Sequence, residues 1–512
     1  MTSCDQQDRA VLDDETVLPP EVDVAVIGSG FSGLATAVGL KRSGREDFVV
    51  LERARDVGGT WRDNAYPGCA CDVPSHLYSF SFAPNPDWSS TFSPQPEIHA
   101  YLRRVAEQEG VLPHVRFGCE VEEAAWDEAA QRWRLRTSAG RLSARVVVAG
   151  AGPLSEPAIP DIPGLRDFQG TVFHSATWDH EHDLDGERVA VIGTGASAIQ
   201  FVPQIQPRVG KLHVFQRTAP WIMPRPDRPL TRFERALYRR VPAAQRLVRK
   251  AIYWGREAYA IPLLRVRLSR VIERAARRHL RRQVPDPQLR AKLTPDYAPG
   301  CKRILVSNDY LPALGRPNVE VVCDGIAEIR ERSIVAKDGT ERELDTIILG
   351  TGFHVTDLPI AERLRGRDGR TLAEHWDGSL QAHRGTTVAG FPNLFILLGP
   401  NTGLGHTSVV LMAEAQAAYV LQALEHLDGD DIGAVEPRRE AQDSWNAAVQ
   451  RRMEGTVWTA GGCASWYLDS KGVNTTLWPD HTFRFFRALR RFDPAEHRLI
   501  PAPAIETAEV MA

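Results

Sequence analysis

Cysteine is scarce, with seven in 512 residues at positions 4, 69, 71, 119, 301, 323 and 463. So few, odd in number and scattered, they argue against a disulfide framework and for a reducing compartment. Long apolar runs are missing too. No window of about 18 apolar residues occurs, and the first residues, MTSCDQQDRAVLDDETVLPPE, are acidic and polar. Neither a membrane-spanning helix nor a secretory signal is expected, and the chain reads as soluble and cytoplasmic. Zinc-ligand spacings, a GxxxxGK[ST] phosphate loop and a GxSxG elbow after a strand are all absent. No metal site and no triad hydrolase is therefore expected. At this length, two to four domains are expected.

What is present is a ten-residue design used twice. VAVIGSGFSG begins at Val24 and VAVIGTGASA at Val189. In each, an apolar run reads as a buried parallel strand, a glycine turn follows, and a helical pattern comes next. Gly28, Gly30 and Gly33 form the first turn, and Gly193, Gly195 and Ala198 the second. The first glycine permits a tight turn, the second lets backbone approach a pyrophosphate, and the small third residue lets helix and strand pack closely. Ser32, Thr194 and Ser197 lie within these turns, where free N–H groups at a helix start favour phosphate. A second strand follows each turn. It carries Glu52, 19 residues after Gly33, in one copy, and Arg217, 19 residues after Ala198, in the other. A carboxylate there accepts from free ribose hydroxyls and repels a 2′-phosphate, whereas an arginine attracts that phosphate. One site is thus expected to hold FAD and the other NADPH.

The order of segments predicts an α/β fold of two Rossmann-like units, with the NADPH unit inserted in the FAD unit. Two similar strand-and-proline connections, Val146 to Gly164 and Leu344 to Pro359, read as the crossings. The expected boundaries are 20–152 and 345–490 for the FAD unit, 153–344 for the NADPH unit, and 1–19 and 491–512 for flexible tails. Within the NADPH unit, about 228–292 reads as a helical insertion. Charge is concentrated around it: Arg225 to Arg303 holds 22 Lys and Arg against 6 Asp and Glu, so the remainder carries about −19. A solvated face of helices packed on the body is the plain reading, and docking on an anionic membrane surface is the alternative. No nucleic-acid motif accompanies the charge.

Flavoproteins with two dinucleotides include disulfide reductases, which need a CxxC or CxxxxC pair beside the flavin. Cys69 and Cys71 in YPGCACDVP are spaced C-x-C and suit neither pattern. Other stretches carry a family likeness. FQGTVFHSATWD matches FxGxxxHxxxW(P/D) at Phe168, Gly170, His174, Trp178 and Asp179. GGTWRDNAYPGCACDVPSHLYSFSF, VFQRTAPW, GCKRILVSNDY and CASWYLDSKGVN add to it, and the likeness runs from about Val22 to Arg490. On these motifs the sequence resembles the type I Baeyer-Villiger monooxygenases, relatives of the flavin-containing monooxygenases that oxidise nitrogen and sulfur.

The resemblance implies a reaction in which NADPH reduces FAD, O2 is taken up, and a C4a-peroxyflavin attacks a ketone to give an ester or lactone. Its partners are then a small ketone and O2. Arg303 resembles the family's active-site arginine and Asp72 the aspartate beside it; a turn-capping role is the other reading of Asp72. Lys302 resembles a second contact to the 2′-phosphate, joining Arg217 and Thr218. Gly59, Thr60, Trp61 and Tyr78 match family FAD contacts, and Val121 a position near the adenine. Trp466 resembles a tryptophan of a loop closing on the nicotinamide, with a core aromatic as the equal alternative. His174 is read as a linking residue at the domain junction rather than a free base. The family's QRTPxW appears here as QRTAPW, with Ala219 before Pro220. The alternatives are an N- or S-oxygenating enzyme, against which Trp178 argues, and a flavoprotein that binds NADPH without oxygenating anything.

Overall fold

The computed structural model describes residues 17–429 and 431–503. Its frame is two sheets, each built around one copy of the repeated design. In the first sheet, Glu21–Ile27 runs parallel to Phe48–Leu51 on one side and to Gly140–Ala149 on the other. The antiparallel strands Val121–Asp127 and Arg132–Thr137 extend it, and Leu394–Ile396 pairs with Gly140–Ala149. The second sheet is wholly parallel, in the order Val319–Val322, Lys211–Phe215, Arg188–Ile192, Thr346–Leu349 and Thr171–His174. Its central strands are apolar runs without alternation because helices or loops cover both faces. The fold is thus α/β with two dinucleotide-type units, the second inserted within the first.

After the first strand, the helix Phe31–Arg42 crosses the sheet and packs on the long helix Val409–Leu427. At Gly39 an added Cβ would lie 3.0 Å from Leu421 Cδ1, so the missing side chain sets how closely the helices meet. The insertion consists of helices Arg232–Arg240, Pro242–Leu264, Arg270–Gln283 and Pro287–Lys292. Among the described residues, no helix is long and apolar enough to cross a membrane.

Three expectations need correction. The apolar run after Leu344 does not return to the first sheet: Thr346–Leu349 pairs with Arg188–Ile192 and Thr171–His174, so the second unit extends past 344 and the return crossing follows Leu349. The tail expected at 491–512 is ordered in its first part, where His497–Pro501 pairs antiparallel with Ile432–Pro437. Most of the expected N-terminal tail, 1–16, and the last residues, 504–512, lie outside the described residues. Finally, Cys301 and Cys463 are bonded to each other. That pair joins positions 162 residues apart, a proximity that only the tertiary fold creates. Cys69, Cys71, Cys119 and Cys323 are free thiols.

Candidate active site

The two glycine turns are built alike. Gly28 has φ +90° and a Cβ there would sit 2.9 Å from the carbonyl oxygen of Gly150; Gly193 has φ +113° and its Cβ would sit 2.3 Å from that of Gly350. Each first glycine therefore backs onto the strand leading into a crossing, and no L side chain fits. The second glycines differ from the first: nothing lies within 4 Å of a Cβ at Gly195, and only Gly59 Cα, at 3.7 Å, approaches one at Gly30. Those two positions face open space where a phosphate chain can approach. The helix Phe31–Arg42 begins at Gly30 with no side-chain cap, leaving its first N–H groups available. Ser32 is buried in its first turn. In the second copy Ser197 and Ala198 start the helix Ala198–Ile205, also without a side-chain cap, and Thr194 Oγ donates to the Thr218 carbonyl at 3.4 Å.

Glu52 ends up beside the first turn. Its carboxylate accepts from Ser29 N at 2.9 Å, Ser29 Oγ at 2.6 Å, Ala54 N at 2.9 Å and Arg62 Nη1 at 3.0 Å. The carboxylate is buried, and these four donors satisfy it. Gly59 begins the short helix Thr60–Asp63 and approaches Gly30 closely, at 3.1 Å from a built Cβ to its Cα. Trp61 Nε1 donates to Tyr78 Oη at 3.0 Å, and Tyr78 meets Phe31 edge-on at 5.1 Å. Gly59, Thr60, Trp61 and Tyr78 thus line the approach to the first turn. Val121 is buried at the start of its strand, where its carbonyl accepts from Arg363.

Arg303 and Asp72 meet although neither sequence motif refers to the other. Arg303 Nε donates to Asp72 Oδ2 at 2.8 Å and Nη2 to Oδ1 at 2.7 Å, a bidentate fork. The pair is half-open: Arg303 keeps 33% of its side-chain surface and Asp72 24%. Asp72's charge is the main reason that Arg303's pKa is raised, and Arg303 is a permanent cation. Asp72 is therefore an ion-pair partner, which decides against the turn-cap reading. Cys69 and Cys71 flank the pair as buried thiols; burial pushes the Cys69 thiol up to about 12 and raises that of Cys71 further. Neither is a ready nucleophile.

Lys302 and Arg217 form a second centre. Burial first, and then the charge of Arg217, lowers the Lys302 pKa, so the two cations stand close enough to repel. Neither has an acidic salt-bridge partner among the described residues. Lys302 lies over the Tyr297 ring at 5.2 Å. Thr218 follows Arg217, and the extra Ala219 is absorbed by packing: it is buried, and its carbonyl accepts from Tyr297 Oη at 3.0 Å. The charge of Asp296 acts on Lys302 in the opposite direction, but it makes no salt bridge to either cation, and their positive charge is left to face an anion.

His174 ends the strand Thr171–His174, paired with Leu349 just before the return crossing. Its Nδ1 accepts from Ala176 N at 3.1 Å, its ring meets Phe353 edge-on at 5.7 Å, and burial lowers its pKa. Trp178 packs on Phe173 and Phe201. Trp466 is 47% exposed and lies tilted against Tyr467 with ring centroids 4.2 Å apart, so it is no core aromatic.

Residues 21–251 match the flavin-binding monooxygenase-like family. A Baeyer-Villiger monooxygenase of Streptomyces coelicolor is 57% identical over 489 residues, 94% of each chain. The chain belongs to the Baeyer-Villiger monooxygenases. A second member of this family, from Pseudomonas aeruginosa, is 48% identical over 94% of this chain and 92% of its own. The crystal structure of cyclohexanone monooxygenase from Rhodococcus sp. Phi1 bound to NADP+ superposes with a TM-score of 0.84 at 29% identity, covering 95% of this chain and all of that one.

Two side chains around Arg303 were not singled out in the sequence, one inside the CASWYLDSKGVN motif and one outside any motif. Tyr467, next to Trp466, sits against Arg303, and burial pushes its hydroxyl up to about 12. Arg256 comes from the inner face of the insertion helix Pro242–Leu264. Burial lowers its pKa, while the charges of Asp72 and Arg303 act on it in opposite directions. The Cys301–Cys463 bond ties the Gly300–Arg303 segment to the one carrying Trp466 and Tyr467. Conspicuous residue types existed at all three points, yet only the fold brings them to one place.

Proposed function

We propose that the protein inserts one atom of O2 beside the carbonyl of a small ketone, giving an ester or lactone with consumption of NADPH. The net conversion takes ketone, O2, NADPH and a proton to ester, NADP+ and water. The observation carrying this reading is the partly open, bidentate pair of Asp72, which follows the first glycine turn, and Arg303, which is next in the chain to Lys302 of the Lys302–Arg217 cations. The residues fit two dinucleotides. The first turn, with open Gly30, the buried Glu52 carboxylate and the Trp61–Tyr78 wall, suits FAD. The second, with open Gly195 and the unpaired Lys302 and Arg217, suits a nucleotide bearing a 2′-phosphate, NADPH.

Bound FAD, once reduced by NADPH, supplies the activation of O2. The chain's own residues do the rest. Arg303 offers a fixed positive charge, aimed in advance, to negative charge that develops at the reacting oxygen atoms. Asp72 fixes the plane of that guanidinium and, with Tyr467, restricts its swing. Trp466, exposed on the segment clipped to Cys301, would cover the nicotinamide end and limit water entry. His174 links the fingerprint strand to the crossing and needs no proton of its own. The test is to follow NADPH consumption and gas-chromatographic products across ketones of graded size. Ester formation supports the reading; NADPH oxidation that yields only hydrogen peroxide with every ketone counts against it.

A further inference from the structure

The insertion helix Pro242–Leu264 buries polar side chains along its inner face, beside the apolar Ala260 and Leu263 near its end. Gln245 donates to the Asn85 carbonyl at 2.6 Å, Arg249 to those of His76 and Ser79 at 2.6 and 3.0 Å, and the buried Glu257 accepts from Thr482 N at 3.0 Å and pairs with His481 Nδ1 at 2.9 Å. These bonds fix the rotation of the helix. Its outer face is apolar: Leu247, Trp254 and Ile261, seven residues apart, are 69%, 51% and 47% exposed, and exposed Ala251 and Ala258 fill the stripe between them. Spacing of seven keeps all five on one side. Phe233 and Val271 on the flanking helices are likewise exposed, and Phe483 stands beside Trp254 at 6.2 Å between rings.

Along the insertion the free exposed charge has one sign. Eleven Lys and Arg residues between Arg232 and Arg282, among them Arg246, Lys250, Arg265 and Arg270, are exposed and lack an acidic partner among the described residues. The three acids of the same span are all engaged: Glu234 with Arg228, Glu257 with His481 and Glu273 with Arg277. The stripe and the cations are the two parts of an interfacial amphipathic surface. We propose that this face of the insertion docks on an anionic phospholipid bilayer, Leu247, Trp254 and Ile261 entering the headgroup boundary while the surrounding cations meet lipid phosphates. A second copy of the chain fits poorly, because a two-fold contact would set this cationic face against itself. A nucleic acid would satisfy the cations and leave the aliphatic stripe in water.

The test uses the full-length holoprotein with vesicles of phosphatidylcholine alone and of phosphatidylcholine mixed with phosphatidylglycerol. Co-sedimentation with the mixed vesicles only, reversed by high salt, is the expected result. The triple variant L247S/W254S/I261S, checked for unchanged melting temperature and ketone turnover, is expected to lose at least tenfold in vesicle affinity, and R246E/K250E to lose binding more steeply at low salt. No sedimentation with mixed vesicles overturns the proposal. So does a folded triple variant that binds like the parent, because the stripe would then play no part. Concentration-dependent self-association that the triple variant abolishes would assign the face to a second copy, and duplex DNA binding untouched by the triple variant would assign the cations to nucleic acid; either result overturns it as well.

Discussion

Asp72 holds Arg303 by both edges of its fork, at 2.8 and 2.7 Å, across 231 residues of chain. The geometry is that of a positioned charge: one side of the guanidinium is spent on the carboxylate, and the open third of its side chain is left for whatever enters the site. Replacing Arg303 with Ala is expected to leave NADPH-driven flavin reduction near the parent rate while lowering ester formation by about 100-fold or more, the scale seen for loss of a preorganised donor. Stopped-flow absorbance reads the first step and gas chromatography the product. Normal ester yield from the variant would remove Arg303 from the chemistry. Asp72→Asn keeps the shape and removes the charge, and a smaller loss, about 10- to 100-fold, is expected.

Specificity for the phosphorylated nucleotide is expected to rest on the two cations that repel each other. Arg217→Ala removes one charged contact, worth about 1.5 to 3 kcal/mol, so kcat/KM for NADPH should fall by about 10- to 150-fold. The value for NADH should hardly change, since NADH offers no 2′-phosphate. Steady-state kinetics with both nucleotides checks this, and equal losses would detach Arg217 from the phosphate.

Much of this arrangement was legible because its signals are local. A strand, a glycine turn and a helix start are consecutive in sequence, and Glu52 and Arg217 follow at a fixed spacing, so both turns could be placed from letters alone. The family likeness then pointed to Arg303 and Asp72, and the fold brings them together. Features that depend on distant partners were not legible. An apolar run such as Thr346–Leu349 announces a strand without saying which sheet receives it. Cys301 and Cys463 look like unrelated thiols until the chain closes. The insertion's amphipathicity was visible, yet its polarity was not: helical spacing cannot tell which face turns inward when buried Gln245 and Glu257 find partners in other segments.

Stability should weaken on mild acidification, for a reason that lies in buried histidines. Burial lowers the pKa of His406 and of His76 from the usual 6.5 to about 4. In the unfolded chain these rings take up protons near pH 6.5; in the folded protein they do so only near pH 4. Between those values the unfolded state binds more protons, so stability present above pH 6.5 drains away as pH falls toward 4. For His406, which bonds Thr482 Oγ at 3.2 Å, the cost approaches roughly 2 to 3 kcal/mol at pH 4. Melting temperatures from pH 7.5 to 4 are expected to decline, and His406→Asn should flatten part of that decline while being less stable at neutral pH. A flat profile in the parent would show that these rings are not neutral in the fold.

Two glycines of the same kind of turn should respond in opposite ways to a single added methyl group. At Gly28 the backbone has φ +90° and an added Cβ would press on the Gly150 carbonyl at 2.9 Å, so Gly28→Ala pays both backbone strain and a collision. At Gly195 nothing lies within 4 Å and the methyl points into the space where the phosphates belong. Gly28→Ala is therefore expected to lower the melting temperature and to purify with little FAD, seen as a loss of yellow colour and of the flavin-to-protein absorbance ratio. Gly195→Ala is expected to melt like the parent and to keep its FAD while raising KM for NADPH several-fold. Thermal melts, flavin absorbance and NADPH kinetics on the two variants distinguish the cases. A Gly195→Ala variant with unchanged NADPH kinetics would mean that the phosphates do not pass over that turn.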